Sequence, residues 1–139
     1  MAERAMSLMV ERALHRKAFG RHLLDHGMVQ KQIALSRIEI EQARLLVLEC
    51  ARRVDDLGTK AAFQHVAMIK YIAPNVACRV IDRAIQIHGA AGVSQDSVLW
   101  RLYCGQRALR IADGPDEVHL VSVAKYEANR NRAKVKSRL

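Results

Sequence analysis

MVQKQIALSRIEIEQARLLVLECARRVDDL, residues 28–57, stops at Gly58. Its Ile33, Ile40, Ala43, Val47, Cys50, Val54 and Leu57 recur at three- and four-residue steps, with Ser36 the one polar residue in the register. That spacing puts them on one face of an α-helix, as the seam of a helical bundle. Leu35, Ile38 and Leu45 make a second stripe elsewhere on the same helix. One seam suffices for a small monomer, so the second predicts cover from another side, supplied by a further subunit.

Residues 61–88 repeat the pattern through Ala62, Val66, Ile69, Ala73, Val76, Val80, Ala84 and Ile87. Pro74 interrupts it and leaves the Lys70 carbonyl without its partner, which predicts a kink or two shorter helices divided there. A first helix is expected over 2–16, followed by a loop over 18–27. After Gly89-Ala-Ala-Gly92 comes an irregular connection with a short helix around 98–105, and a last helix follows Pro115. The expected fold is all-α, an up-and-down four-helix bundle over 1–129, with a basic, disordered tail over 130–139.

Composition agrees: half of the 139 residues are apolar, only 4% are aromatic, and prolines number two. The net charge of +9 raises nucleic acid as a partner. Over half of that excess, however, is Arg130, Arg132, Lys134, Lys136 and Arg138, with no acid between them. Such a run is usually a solvated tail, and no aromatic residues interleave it as a stacking surface requires. No nucleic-acid partner is expected; a polyanionic small molecule such as a nucleotide pyrophosphate suits the charge equally well. Three cysteines without a CxxC pairing point away from a disulfide framework or zinc site and towards a reducing compartment. Cys50 and Cys78 fall on apolar faces and read as core packing. No apolar run approaches the roughly 20 residues that span a bilayer. The N-terminus lacks the apolar region of a signal peptide. Ser137-Arg138-Leu139 resembles the Ser-Lys-Leu peroxisomal address.

Arg110-Ile-Ala-Asp-Gly-Pro-Asp-Glu-Val-His119 turns through Asp113-Gly114-Pro115 into a segment with Val118, Val121, Ala124 and Ala128 in helical register. Pro115 suits a first helical turn, which places Asp113 at or just before a helix N-terminus, beside free N–H groups. The plainer reading makes Asp113 an N-cap, with Asp116 and Glu117 as acids the helix dipole favours. The other makes Asp113 a base for a carbon-bound proton.

Three motifs stand in order: Glu11-Arg-Ala-Leu-His-Arg-Lys-Ala-Phe-Gly20, Ala84-Ile-Gln-Ile-His-Gly-Ala-Ala-Gly92 and Ala112-Asp-Gly-Pro-Asp-Glu117. Together, at this spacing, they resemble the C-terminal helical domain of the acyl-CoA dehydrogenases, over residues 2–127. The third motif is most similar to the kinase-fused branch, family members ten and eleven. The resemblance implies FAD as cofactor and oxidation of an acyl-CoA to its trans-2-enoyl-CoA. A carboxylate takes the α-proton while the β-hydrogen leaves as hydride to the flavin. Asp113 matches the base, where most members carry Glu.

Further roles come with the same resemblance. The Asp113 N–H matches a donor to the thioester oxygen, and Gly114 lets the substrate approach without a Cβ in the way. Arg16 matches an arginine on the FAD pyrophosphate and Phe19 an aromatic residue at the adenine end. Gln86 and the backbone of Ile87, His88, Gly89 and Ala90 match the adenylate cradle, which in the family reaches across to a neighbouring subunit's flavin. Pro115, Asp116 and Glu117 match a stretch that touches FAD near the base. Gly27 stands where many members have a flavin-contacting Gln, so that contact is missing. His88 and His119 read as packing or surface residues, because Asp113 fills the one base role required.

The implied partners are an acyl-CoA substrate, an electron-transferring flavoprotein or oxygen as electron acceptor, and further copies in a homodimer or homotetramer. Family members also carry an N-terminal helical domain and a middle β-domain, so this chain is expected to be one part of a larger enzyme and inactive alone. The peroxisome is the expected compartment from the last three residues, with the mitochondrion as the alternative. Two other classes compete: a non-catalytic helical oligomerisation module, and a basic helical protein that binds nucleic acid or an anionic membrane through its tail.

Overall fold

The structure is a computed structural model that describes residues 1–136. Ser137-Arg138-Leu139, on which the peroxisomal expectation rests, lies outside the described residues. The helices are α1 (Ala2–His15), α2 (Gly27–Leu57), α3 (Thr59–His88), α4 (Ala90–Val93), α5 (Val98–Leu109) and α6 (Asp116–Lys136). Between α1 and α2 the expected loop contains a small antiparallel hairpin, β1 (Lys17–Ala18) and β2 (Arg21–His22), then a 3-10 turn at Leu23–Asp25. The all-α reading holds, and no described helix is long and apolar enough to cross a membrane.

Gly58 alone joins α2 to α3, so the two pack antiparallel: Glu39 meets Arg83 near one end. α3 is the central element, packed against α1, α2, α5 and α6. Its Val80, Ile81 and Ala84 meet Met9 and Ala5 of α1 and Leu99 of α5 in the core, all at most 1% exposed. Each large side chain so buried contributes about 1.5–3 kcal/mol. That explains why α3 runs unbroken through Pro74, contrary to the two-helix alternative. A mid-helix proline costs about 3 kcal/mol, which Val76, Val80 and Ile81 offset. The buried Asn75 donates its side-chain N–H to the Tyr71 carbonyl at 2.8 Å, beside the carbonyl that Pro74 leaves unpaired.

The α2 seam is buried at Ser36, Ile40, Ala43 and Cys50. Ser36 is tolerated because its hydroxyl donates to the Gln32 carbonyl at 2.8 Å. Val47 and Leu57 of the same register are exposed, as is the second stripe, Leu35, Ile38 and Leu45. Helix α5 runs to Leu109, past the expected 105, and starts where the Ser97 hydroxyl accepts the Leu99 N–H.

Two expectations at the C-terminal end are corrected. The α6 residues Val118, Val121, Ala124 and Ala128 do not face the bundle; all four are exposed. The side turned towards α3 carries Asp116, His119, Val123 and Glu127, with Gln64 of α3 donating to the Glu127 carboxylate at 3.2 Å. Periodicity says which residues share a face but not which neighbour that face meets. Second, α6 continues past Asn129 to Lys136, where a disordered tail was expected. No glycine or proline stops it, and Arg130 pairs with Glu127 one turn back.

Candidate active site

The turn between α5 and α6 is built by side chains from α3. Lys70 Nζ donates to the Leu109 and Ala112 carbonyls, each at 2.7 Å, and lies 3.5 Å from the Gly114 carbonyl. Five residues further along α3, Asn75 donates to the Asp116 carboxylate at 3.0 Å, and Arg110 Nε donates to the same oxygen at 2.7 Å. The Asp116 N–H returns to the Arg110 carbonyl at 3.1 Å, so the turn is closed at its base.

Asp113 sits at the top of this turn with φ 52, a left-handed conformation unusual for a residue with a Cβ. It is exposed, and its N–H makes no bond within the described residues. Asp113 is therefore not the cap of α6: that helix begins at Asp116, and the Pro115 carbonyl accepts the first bond, from Val118. The left-handed turn explains the shift, because it lifts Asp113 off the helix axis before Pro115 sets the helical entry. Gly114 has φ 99, and a Cβ there would stand 3.3 Å from Nε2 of His119. His119 packs under the turn, its Nε2 buried and unpartnered. Glu117 is exposed on the first turn of α6.

The first two motifs meet at the opposite end of α3. α1 ends at His15, leaving Arg16 extended and exposed. Phe19 and Gly20 then form the two-residue turn of the hairpin, at φ 52 and 78, the type I′ geometry that matches strand twist. Phe19 is 95% exposed, touching only the edge of His26 at a centroid distance of 6.2 Å. His88 donates its Nδ1–H to the Ala84 carbonyl and borders a cavity of about 290 Å³ with Leu8, Glu11, Arg12 and His15. Gln86 is exposed on a separate cavity with Gln32, Arg79, Asp82 and Arg83, Ile87 packs on the core and offers only its backbone, and Gly89 and Ala90 follow His88 exposed. Arg12 Nε and His22 Nδ1 are buried here without partners. Arg12, His15 and His88 around the first cavity, with the unpartnered Arg12 Nε, suit an anion, so these residues fit phosphate groups such as those of FAD, and the bare Phe19 ring is available at the tip of the hairpin.

The structure brings the first two motifs together through Glu11, Arg12, His15 and His88 but keeps Asp113 apart from them. From Lys70 under the base turn to Gln86 is about 24 Å along α3 at 1.5 Å per residue. The expectation of a dry base is not met within this chain, since none of its own elements covers Asp113. Sequence reading missed Lys70, Asn75 and Arg110, and read Asp116 as an acid favoured by the helix dipole or set near FAD, not as the partner of Asn75 and Arg110. The available signal was that Lys70 and Asn75 break the otherwise apolar run of α3 from Val66 to Cys78.

A helical bundle with an uncommitted acid on a clamped turn and a cationic cavity at the far end of its central helix has a layout that suits a flavoenzyme domain. The model for the acyl-CoA dehydrogenase C-terminal domain matches residues 1–127. The chain is 59% identical to "Probable acyl-CoA dehydrogenase FadE2" of Mycobacterium tuberculosis, over 95% of its own length and 32% of the relative's. It is 50% identical to acyl-CoA dehydrogenase family member 11 of Rattus norvegicus, over its full length and 18% of that protein. Butyryl-CoA dehydrogenase from Megasphaera elsdenii superposes with a TM-score of 0.86 at 28% identity, covering 91% of this chain and 33% of that one. The chain belongs to the acyl-CoA dehydrogenase family, as its C-terminal domain, and spans a third or less of these relatives.

Proposed function

We propose that this domain carries the catalytic base and part of the FAD site of an enzyme that oxidises acyl-CoA to trans-2-enoyl-CoA. The observation that carries the reading is Asp113, a residue with a Cβ held left-handed at the top of a clamped turn, its carboxylate and N–H both uncommitted. A thioester α-proton is weakly acidic, so its base must be fixed in direction and desolvated. The turn supplies the first; the substrate and the other domains of the enzyme supply the second. The Asp113 carboxylate takes the α-proton, while its N–H donates to the thioester oxygen, where enolate charge develops. Gly114 leaves room for that oxygen to approach. Aspartate is one methylene shorter than the usual glutamate, so this turn must stand closer to the substrate.

FAD, when bound, supplies the acceptor for the β-hydrogen. Pro115 and Glu117 would lie near the FAD that serves this chain's own base. Arg16, Phe19, Gln86 and the backbone of Ile87, His88, Gly89 and Ala90 would hold the FAD of a neighbouring subunit, a division supported by their distance from Asp113. Electrons pass on to an electron-transferring flavoprotein or to oxygen. A homodimer or homotetramer is supported by the exposed stripes of α2 and α6. The terminal Ser137-Arg138-Leu139 favours a peroxisomal location over a mitochondrial one.

In the full-length enzyme, Asp113→Asn is expected to retain FAD absorbance and to slow enoyl-CoA formation by about a hundred- to ten-thousand-fold. Turnover within threefold of wild type would remove Asp113 from the chemistry and leave the domain as an assembly module.

A further inference from the structure

We propose that Lys70 is the positioning residue of the base: its ammonium group fixes the turn that aims Asp113. This rests on the reading of Asp113 as the base. Three carbonyls converge on one nitrogen, those of Leu109 and Ala112 at 2.7 Å and of Gly114 at 3.5 Å. An ammonium group has three donors and no acceptor, which matches three oxygens and nothing else. Bonds to a charged donor are also the strong ones.

The placement of these oxygens gives the cation its task. The Ala112 carbonyl belongs to the peptide unit that enters Asp113 and the Gly114 carbonyl to the unit that leaves the turn towards Pro115, so the left-handed residue is held from below at its entry and one residue past it. Leu109 ends α5, where helix carbonyls are left without partners and a cation is favoured. Lys70 thereby ties the end of α5, the base and the entry to α6 to a point on α3. Asn75 and Arg110 hold Asp116 but do not reach Asp113. The backbone bonds from Ala112 to Ala108 and from Asp116 to Arg110 fix the two ends of the turn, and Lys70 is the side chain that reaches the residues next to Asp113 and opposes its relaxation from φ 52. Were Asp113 to relax, its carboxylate and N–H would swing together, because both are set by the same backbone torsions. Lys70 touches neither end of the reaction; it acts through Asp113.

The full-length enzyme tests this with Lys70→Met, which keeps the aliphatic stem and removes the donors, and Lys70→Gln, which keeps two donors without charge. The expected result is a kcat about a hundredfold lower in Lys70→Met, the loss typical of a misplacement near 1 Å. Lys70→Gln should fall between it and wild type, with KM for acyl-CoA and FAD content unchanged in both. Amide exchange at residues 111–114 should quicken in the same order. Where Lys70→Met loses FAD or fails to fold, Lys70→Gln carries the comparison. A kcat within twofold of wild type in either folded variant, with Asp113→Asn inactive, overturns the role of Lys70 and leaves the base reading standing. Retained turnover in Asp113→Asn overturns the base reading and the proposal with it. A kcat loss that appears only with a parallel loss of FAD overturns the proposal in favour of a purely structural lysine.

Discussion

At the scale of single residues, Asp116 is a carboxylate buried where the turn becomes α6. Burial by itself pushes its carboxyl up. The hydrogen bonds from Asn75 and Arg110 and the charges of Arg110 and Lys70 outweigh that and hold it below the ordinary aspartate range. A folded pKa below the unfolded one stabilises above the unfolded value, and this stabilisation is lost as pH falls through the folded value. Asp116→Asn is therefore expected to cost about 1.5–3 kcal/mol at pH 7, the range for a hydrogen bond to a charged group. Denaturant titrations should find that cost shrinking below about pH 4, near the ordinary aspartate value. A cost as large at pH 3 as at pH 7 would mean that Asp116 stabilises by shape and not by charge.

At the scale of elements, α4 meets the end of α3 with no space to spare. A Cβ on Gly92 would stand 2.6 Å from the Ile85 carbonyl oxygen and 2.8 Å from its Cα, both backbone. Gly92→Ala should cost about 1–3 kcal/mol, the usual range for overpacking. It should also shift the Gln86–Ala90 segment, seen as weaker FAD retention. Gly27, the first residue of α2, faces open space, so Gly27→Ala should stabilise by about 0.4–1 kcal/mol. Paired denaturation midpoints check both signs. The same elements show what could be read from the chain beforehand. Three-four spacing placed Ser36, Ile40, Ala43 and Cys50 in the seam, and the first two motifs do meet where His88 borders Arg12 and His15. Spacing could not place α6, because its apolar stripe looks the same whether it meets this chain or another. Nor could it see Lys70, whose three carbonyl partners lie some forty residues downstream and are backbone, with no side-chain signature.

At the scale of the whole molecule, apolar surface is left open on opposite outer helices. Ile38 and Leu45 on α2 are 53% and 65% exposed, and Val118 and Val121 on α6 just over half exposed. Contiguous patches of this kind mark association surfaces. Sedimentation of the chain should give dimers or tetramers. The double change Ile38→Glu with Leu45→Glu should dissociate them without reducing helical content by circular dichroism. A wild-type chain that remains monomeric at high micromolar concentration would show that these stripes need other domains, and not copies of this one, to close them.

The inverted set of α6 has one more effect. A helix that turns its apolar side outward is seated on α3 through Asp116, His119, Val123 and Glu127, and beyond Glu127 its residues are exposed wherever their side chains are described. The end of α6 beyond Glu127 is thus the part of that helix expected to open first on a lone subunit. The Asp113 turn, pinned to α3 through Lys70 and Asn75, is expected to stay in place while that far end moves, so amide exchange should be fastest past Glu127 and slower at the turn.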